Sequence, residues 1–217
     1  MELPLFPLNS VLFPGAPLRL HIFEDRYKQM MNLCIEEKLP FGVVLIDSGD
    51  EALGPVAQPH EIGCSAHIMQ VQRLPLERMN LVAMGRERFR IRRVFDDRPF
   101  LRAEVEYLPL TDDNPRWTQG GAARVRELFE RYIHAMQAAG QPTMTEGLLP
   151  LPPLQLLHFA SFWLQTELAY KQQLLECTTT SSLVPRLVKL FHREIKMLDI
   201  LLARVEIANG DTPFSLN

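Results

Sequence analysis

The densest cluster of charged side chains in the sequence is the arginine-rich run at residues 86–93. If this run forms a β-strand, its even-numbered arginines share one face while Phe89 and Ile91 point to the core. The arginines of that face are Arg86, Arg88, Arg90 and Arg92. Such a strip could bind an acidic peptide or the phosphates of a nucleic acid.

The alternative for the same run is a solvated outer face, and we prefer it. Acidic residues that could pair with the arginines are Asp96, Asp97, Glu104 and Glu106. Exposed ion pairs add little to stability, so substitution of Arg88 or Arg90 by glutamate is expected to change stability only slightly. The strip stays a candidate for binding an anion or a peptide.

A second set of residues could in principle hold a metal ion. His60, Cys64 and His67 are of the types that bind zinc. If residues 62–74 form a strand, however, Cys64 points to one face and His67 to the other, so they cannot converge on one ion. The sequence therefore predicts no metal site and no cofactor.

Sequence motifs of common enzymes are missing. The chain contains neither the glycine-rich phosphate loops G-x-x-x-x-G-K-[ST] and G-x-G-x-x-G nor the serine motifs G-x-S-x-G and S-x-x-K. We therefore expect no ATPase and no peptidase activity. A hydrolase with a site assembled from distant residues has no positive support in the sequence.

Composition indicates an ordinary globular protein. The 217 residues are 47% hydrophobic and 23% charged, with a formal net charge of −3, which gives no bias toward nucleic acid or an anionic membrane. Three widely spaced cysteines fit free thiols in a reducing compartment. The start of the chain lacks a basic signal-peptide region, and no apolar run reaches 18 residues. These features predict a cytoplasmic protein.

The first half of the chain has the pattern of a β-rich domain with one helix. Short apolar or alternating runs predict strands at residues 18–23, 41–46, 62–74, 81–84, 87–94 and 100–108. Between the first two, residues 24–38 carry an apolar stripe of helical period. Residues 47–61 are rich in glycine, proline and acids, which favours a mobile loop.

After a proline- and glycine-rich junction at residues 108–121, the apolar period changes to that of helices. Helices are expected near residues 125–136, from Pro152 onward, near residues 167–176 and over a last long segment. That last segment repeats apolar residues in heptads at Val184, Val188, Phe191, Ile195, Leu198, Leu202 and Val205. The internal seam of a helical bundle is preferred to a coiled-coil dimer.

Several motifs resemble the amino-terminal domain of the Lon protease family. The opening reads Leu5-Phe6-Pro7-Leu8, then Val11-Leu12-Phe13-Pro14-Gly15, then Leu18-Arg19-Leu20-His21-Ile22-Phe23-Glu24. Further matches are Phe41-Gly42-Val43-Val44, Ile62-Gly63-Cys64-Ser65-Ala66, Leu81-Val82-Ala83-Met84-Gly85 with the arginine run after it, and Lys171-Gln172-Gln173-Leu174-Leu175-Glu176. The sequence departs from the pattern at residues 140–153, where a helix would be expected.

The resemblance implies an α+β fold: a PUA-like β-barrel domain with one inserted helix at residues 1–110, followed by a helical bundle at residues 111–217. It also implies a non-catalytic role in recognising protein substrates, since the ATPase and peptidase modules of the family would follow this region. The expected partners are unfolded or exposed polypeptide segments, or a protease or chaperone served by an adaptor. The alternative is a PUA-like RNA-binding protein that uses residues 86–93, which the net negative charge and the lack of an interleaved aromatic platform disfavour.

Overall fold

The computed structural model describes residues 1–48, 58–141 and 151–210, with side chains described as far as residue 204. The strands are β1 (Glu2–Leu8), β2 (Pro17–Ile22), β3 (Phe41–Ser48), β4 (Gln58–Pro59), β5 (Ile62–Arg73), β6 (Met79–Phe95) and β7 (Arg102–Tyr107). The helices are α1 (Asp25–Glu36), α2 (Pro115–Ala138), α3 (Pro153–Trp163), α4 (Leu168–Glu176) and α5 (Thr180–Gly210). The α+β class expected from the sequence is confirmed.

The strands close into a ring. β1 pairs antiparallel with β7 and parallel with β3, and the path between these neighbours runs β7–β6–β5–β3. Apolar side chains form a compact cluster made of Leu3, Leu5, Val44, Phe89, Leu101, Ala103 and Val105. Because the ring is closed, the strand segments within it have a hydrogen-bonded neighbour on both sides and expose no edge.

Three glycines allow close packing in and beside this ring. The Phe89 ring lies against Gly63, where an added Cβ would come within 2.7 Å of Phe89 Cζ and still closer to the Val43 carbonyl oxygen. Gly15 has φ of +77° in the turn before β2, and its N–H donates to the Gly85 carbonyl oxygen at 2.9 Å. A Cβ on Gly85 would collide with the backbone of Phe13, so the close crossing of these two segments requires glycine.

The same sheet extends beyond the ring as a three-stranded part, called here the small sheet. The first part of β6 pairs with β2 on one side and with the second part of β5 on the other. The inner face of this extension packs with the buried side of α1, including Met30 and Met31, in the main apolar core. Its outer face carries a chain of hydrogen bonds in which His21 Nδ1 contacts Asn80 Oδ1 at 2.7 Å, and Asn80 Nδ2 donates to Gln72 Oε1 at 3.1 Å.

The helical half begins earlier than the sequence pattern indicated. Asn114 caps α2 by accepting from the N–H of Trp117, and Pro115 occupies the first turn. Gly120 and Gly121 therefore lie inside a helix, so the prediction that residues 108–121 are wholly a junction is wrong. A Cβ on Gly121 would lie 2.8 Å from Val184 Cγ1, so glycine permits the close approach of α2 and α5.

The long last helix is confirmed, but the burial of its apolar side chains decreases along its length. Leu183, Leu187, Phe191 and Ile195 are buried, as a bundle seam requires. Beyond Ile195 the heptad residues Leu198 and Leu202 are half-buried, and Met197, Ile200 and Leu201 beside them are exposed. Pro185 lies in the second turn of this helix, which starts at Thr180.

Other predicted boundaries also shift. β1 is a strand that the pattern of its own residues did not predict, and the two strands predicted at residues 81–84 and 87–94 form the single strand β6. Part of the predicted mobile loop is ordered as β4, which pairs with β3. Residues 49–57 of that loop, and residues 142–150 of the segment 140–153 that departs from the family pattern, lie outside the described residues.

One apolar core joins residues from the β-rich half and from the helices. It includes Phe41 and Met79 from the strands and Phe129, Leu157 and Phe191 from the helices. The division at residue 110 falls between β7 and α2 and stays a prediction. Within the described ranges, no helix combines the length and the hydropathy needed to cross a membrane.

Candidate functional site

A β-bulge in β6 decides where the arginines of the predicted strip point. Cys64 of β5 lies opposite Arg88, whereas Ala66 lies opposite Gly85, so β6 has one more residue than β5 in this interval. The extra residue falls at Arg86–Glu87 and breaks the strict alternation of faces. As a result Arg88 and Phe89 are both buried, on opposite sides of the strand.

Arg88 contacts the helical half. Its side chain is 3% exposed, and its Nη1 donates to the carbonyl oxygens of Leu175, at 2.7 Å, and Cys177. These carbonyls end α4, where the helix dipole favours a cation. The prediction that Arg88 belongs to a solvated strip is therefore wrong, because a distant helix end covers it.

The other arginines of the strip have different surroundings. Arg86 is exposed, Arg90 is half-buried, and Arg92 is exposed with its Nε donating to Glu106 Oε2 at 2.8 Å. A second bulge places Arg92 between the paired residues Ile91 and Arg93, so it too leaves the regular alternation. The four arginines thus do not form one continuous face. Binding of an anionic partner by the three that reach solvent stays a prediction.

The contact of Arg88 belongs to a polar seam between strands and helices. Gln172 of α4 donates from Nε2 to the Ile62 carbonyl oxygen at 3.0 Å and to Glu176 Oε1. Burial, aided by the charge of Arg88, lowers the pKa of His158 to about 4. Arg88 Nη2, His158 Nε2 and Gln172 Oε1 are buried and have no hydrogen-bond partner in the described part of the chain. Sequence patterns gave no signal for this seam.

The three residues of the metal hypothesis do not converge. Cys64 is buried and His67 is exposed, in line with their opposed faces on β5. His60 instead lies between two carboxylates, with its Nε2 3.5 Å from Asp47 Oδ1 and its Nδ1 3.9 Å from Glu176 Oε1. Among the described residues no three His, Cys, Asp or Glu side chains are grouped closely enough to hold a metal ion.

Two buried thiols are poor nucleophiles. Burial, with a smaller contribution from Glu37, raises the pKa of Cys34 to about 12. Burial likewise raises the pKa of Cys64 to about 12, against the opposing effects of a hydrogen bond from the Arg86 backbone and of the Arg88 charge. Thiols with such pKa values stay protonated near neutral pH and do not react as thiolates.

A groove beside the second part of β5, called here the edge groove, exposes apolar side chains to solvent. It has a volume of about 390 Å³, which lies within the range of ligand-binding clefts. Its lining residues are Cys34, Ile35, Lys38, Leu39, His67, Ile68, Met69, Gln70 and Val71. Met69 is 54% exposed, Val71 39% and Leu39 37%, so apolar side chains reach solvent here from both walls.

A second cleft of about 390 Å³ lies at the opposite edge of the small sheet and is called here the β2 cleft. Residues 19–23 of β2 and the segment after it form one wall, and Phe6 and Leu8 of β1 contribute to the other. The exposed Phe23 ring stacks at 6.0 Å on His21. The two clefts therefore flank the same three strands, and sequence reasoning named neither, because each forms between elements distant along the chain.

Comparison with known proteins gives one consistent relationship. Residues 2–193 match the family model described as "ATP-dependent protease La (LON) substrate-binding domain". Among curated relatives, Lon protease of Porphyromonas gingivalis is 24% identical over 204 residues, and Lon protease 2 of Sorangium cellulosum is 25% identical over 208 residues. Each alignment covers 92% of this chain, which spans 24% and 25% of the two relatives' lengths.

Solved structures agree with this relationship. The Lon N-terminal domain protein from Xanthomonas campestris has a TM-score of 0.62 and 25% identity, covering 87% of this chain and 98% of that one. The N-terminal domain of Mycobacterium avium complex Lon protease has a TM-score of 0.63, with 16% identity, 88% of this chain covered and 98% of that one. The second likeness bears on the fold alone. On the match that covers nearly all of its length, the chain belongs to the Lon protease substrate-binding domain family.

Proposed function

We propose that this protein is a non-catalytic module of the cytoplasm that binds exposed segments of other polypeptides, as an adaptor for a protease or chaperone. The match of residues 2–193 to a substrate-binding domain carries the proposal. The protein's own surface supports it, since the edge groove and the β2 cleft expose apolar side chains in concave sites.

The chemistry of the described residues favours binding over catalysis. The thiols of Cys34 and Cys64 are held protonated by burial. The seam around Arg88 joins two parts of the fold and is closed to a substrate, because the guanidinium is almost wholly buried. The accessible clefts are lined mostly by apolar and uncharged side chains, which suit recognition of unfolded chain segments.

A matched pair of protein ligands tests the proposal. Fluorescein-labelled α-lactalbumin, reduced and carboxymethylated, is titrated with the pure protein and followed by fluorescence anisotropy; the native form carries the same label. We expect the unfolded form to bind with a dissociation constant on the order of micromolar and the native form to bind at least about tenfold more weakly. Equal anisotropy of both forms throughout the titration would contradict the proposal.

The RNA-binding alternative is tested in the same assay with a labelled single-stranded RNA. Burial of Arg88 and the Arg92–Glu106 pair leave less free positive charge on β6 than the sequence indicated. We therefore expect RNA to bind more weakly than unfolded polypeptide at physiological salt. Preferential RNA binding that is lost on substituting Arg86 and Arg90 by glutamate would favour the alternative.

A further inference from the structure

We propose that the bound polypeptide segment adds a strand to the free edge of β5 at residues 67–73, with its side chains in the edge groove. This inference rests on the proposed function and names the place and the mode of binding. The occupant is an extended segment in which apolar residues alternate with polar or acidic ones.

The backbone of β5 is only partly paired. On one side β5 pairs with β6 along nearly its whole length. On the other side β3 pairs with it only at Cys64, Ser65 and Ala66. From His67 to Arg73 this side has no strand partner among the described residues. Alternate N–H and C=O groups of an unpaired edge point outward and can hydrogen-bond to an added strand.

This edge lacks the usual protection of an edge strand. Edges are commonly blocked by proline, lysine or other charged residues. Residues 67–72 read His-Ile-Met-Gln-Val-Gln and contain no proline and no acidic, lysine or arginine residue, and the charged residue Arg73 lies only at the end of the edge. The edge of β2, by contrast, begins with Pro17 and carries Arg19. Of the two edges of the small sheet, the β5 edge is therefore the one open to another strand.

Apolar side chains lie beside the open edge of β5, where the side chains of an added strand would need pockets. Ile68 lies opposite Ala83 and Val71 opposite Leu81, so both belong to the face that covers α1. Met69 is the extra residue of a bulge between Ile68 and Gln70, and bulges redirect side chains beside binding sites. Leu39 contributes from the segment after α1. An extended peptide presents alternate side chains to such a groove.

Charge selects among extended segments. Lys38 lines the edge groove, and no acidic residue does so among the residues described. Arg73 lies at the end of the open edge, where its Nη1 donates to Asn32 Oδ1 at 3.2 Å. A segment with an acidic residue beside its apolar ones therefore fits the groove better than a basic segment.

Side-chain substitutions test the place of binding. Met69→Asp and Val71→Asp put a charge in the groove, and we expect each to weaken binding of carboxymethylated α-lactalbumin by about tenfold or more. Asn80→Asp is the matched control, since it adds the same charge to an exposed residue of the neighbouring strand β6 that lies neither on the open edge nor in the edge groove. We expect it to change binding by less than about twofold. Circular dichroism checks that all three variants are folded.

Backbone substitution tests the mode of binding. The probe is a labelled ten-residue peptide of alternating valine and aspartate, with two analogues that are N-methylated at every second residue in complementary positions. Strand addition uses the amides on one side only, so one analogue should lose at least about tenfold in affinity and the other should stay within about threefold of the parent peptide. Equal loss in both analogues overturns strand addition.

The outcomes separate this inference from the function on which it rests. If native and unfolded α-lactalbumin behave alike with the unmodified protein, the proposed function fails. If the unfolded form binds and Met69→Asp and Val71→Asp leave it unchanged, only the inference fails. If sedimentation shows a dimer that the same two variants dissociate while the peptide does not bind, a second copy covers the edge and the inference is overturned.

Discussion

The β5–β6 hairpin has an inner and an outer half with opposite surroundings. In the inner half, Cys64, Ser65 and Ala66 pair with β3 on one side and with residues 85–88 of β6 on the other, and helix α4 lies beside them. In the outer half, residues 67–73 pair only with β6 among the described residues, and several of their side chains reach solvent. One pair of strands thus forms both the centre of the fold and its open edge.

This difference separates residues that hold the fold from residues available to a partner. A substitution in the inner half must disturb packing on both faces of the sheet, because Arg88 and Phe89 are buried on opposite sides. A substitution in the outer half meets solvent on at least one side and should leave stability nearly unchanged. Stability and binding should therefore respond to different ends of the same hairpin.

The largest expected effect on stability is that of Arg88→Ala. The change removes the donor to the Leu175 and Cys177 carbonyl oxygens and leaves both without that partner in a buried seam. We expect the free energy of unfolding to fall by about 4 kcal/mol, measured by urea denaturation. Arg86→Ala is the matched control two residues away, and it should cost less than about 0.5 kcal/mol because Arg86 is exposed. Similar losses of unfolding free energy in both variants would show that Arg86 and Arg88 do not have different surroundings.

Gly63→Ala tests the packing of the inner half without changing charge. The added methyl group would meet the Val43 carbonyl oxygen and the Phe89 ring, neither of which can move without disturbing the strand ring. The expected loss is about 3 kcal/mol in urea or thermal denaturation. Gly120→Ala in α2 is the control, because nothing lies within 4 Å of its Cβ position. It should stabilise the protein by about 0.5–1 kcal/mol, as alanine favours helix.

Acid should weaken the seam through His158. Burial and Arg88 lower its pKa to about 4 in the folded protein, whereas an unfolded histidine has a pKa near 6.5. Above pH 6.5 both states are neutral, so the stability is fully present. As the pH falls from 6.5 toward 4 the unfolded state takes up the proton first, and stability is lost.

The measurement compares unfolding free energies at pH 7 and pH 5 for the unmodified protein and for His158→Gln. The loss attributed to His158 over this interval is about 2 kcal/mol. Other groups that titrate in this range act on both proteins and cancel in the difference. If the variant loses stability as steeply as the unmodified protein, His158 is not the group responsible.

Sequence reasoning predicted most elements of the fold and missed the long-range contacts. The strand at residues 62–74 and the helix of residues 24–38 correspond closely to β5 and α1, because their apolar periods are local signals. The start of α2 also has a local signal, with Asn114 as the N-cap and Pro115 in the first turn. Gly120 and Gly121 nevertheless favoured a junction over a helix in the sequence pattern.

The position of Arg88 could not be predicted from its neighbours. Strict alternation placed it with Arg86, Arg90 and Arg92 on one face, whereas the bulge and the end of α4 bury it. Bulges depend on the register between two strands, and the covering helix end is 87 residues away in sequence. The edge groove was missed for the same reason, since it forms only where β3 begins too late to cover β5.

The smallest effect is expected for Arg92→Ala, on the same strand as Arg88. The Arg92 and Glu106 side chains are 53% and 56% exposed, so solvent screens their ion pair. We expect the free energy of unfolding to change by less than about 0.5 kcal/mol. A double-mutant cycle with Glu106→Ala should give a coupling energy of about 0.5 kcal/mol or less, and it should shrink further in high salt. A coupling as large as the loss for Arg88→Ala would mean that the outer arginine also holds the fold. The small value would instead show that burial, and not the arginine type, determines which residues of β6 stabilise the protein.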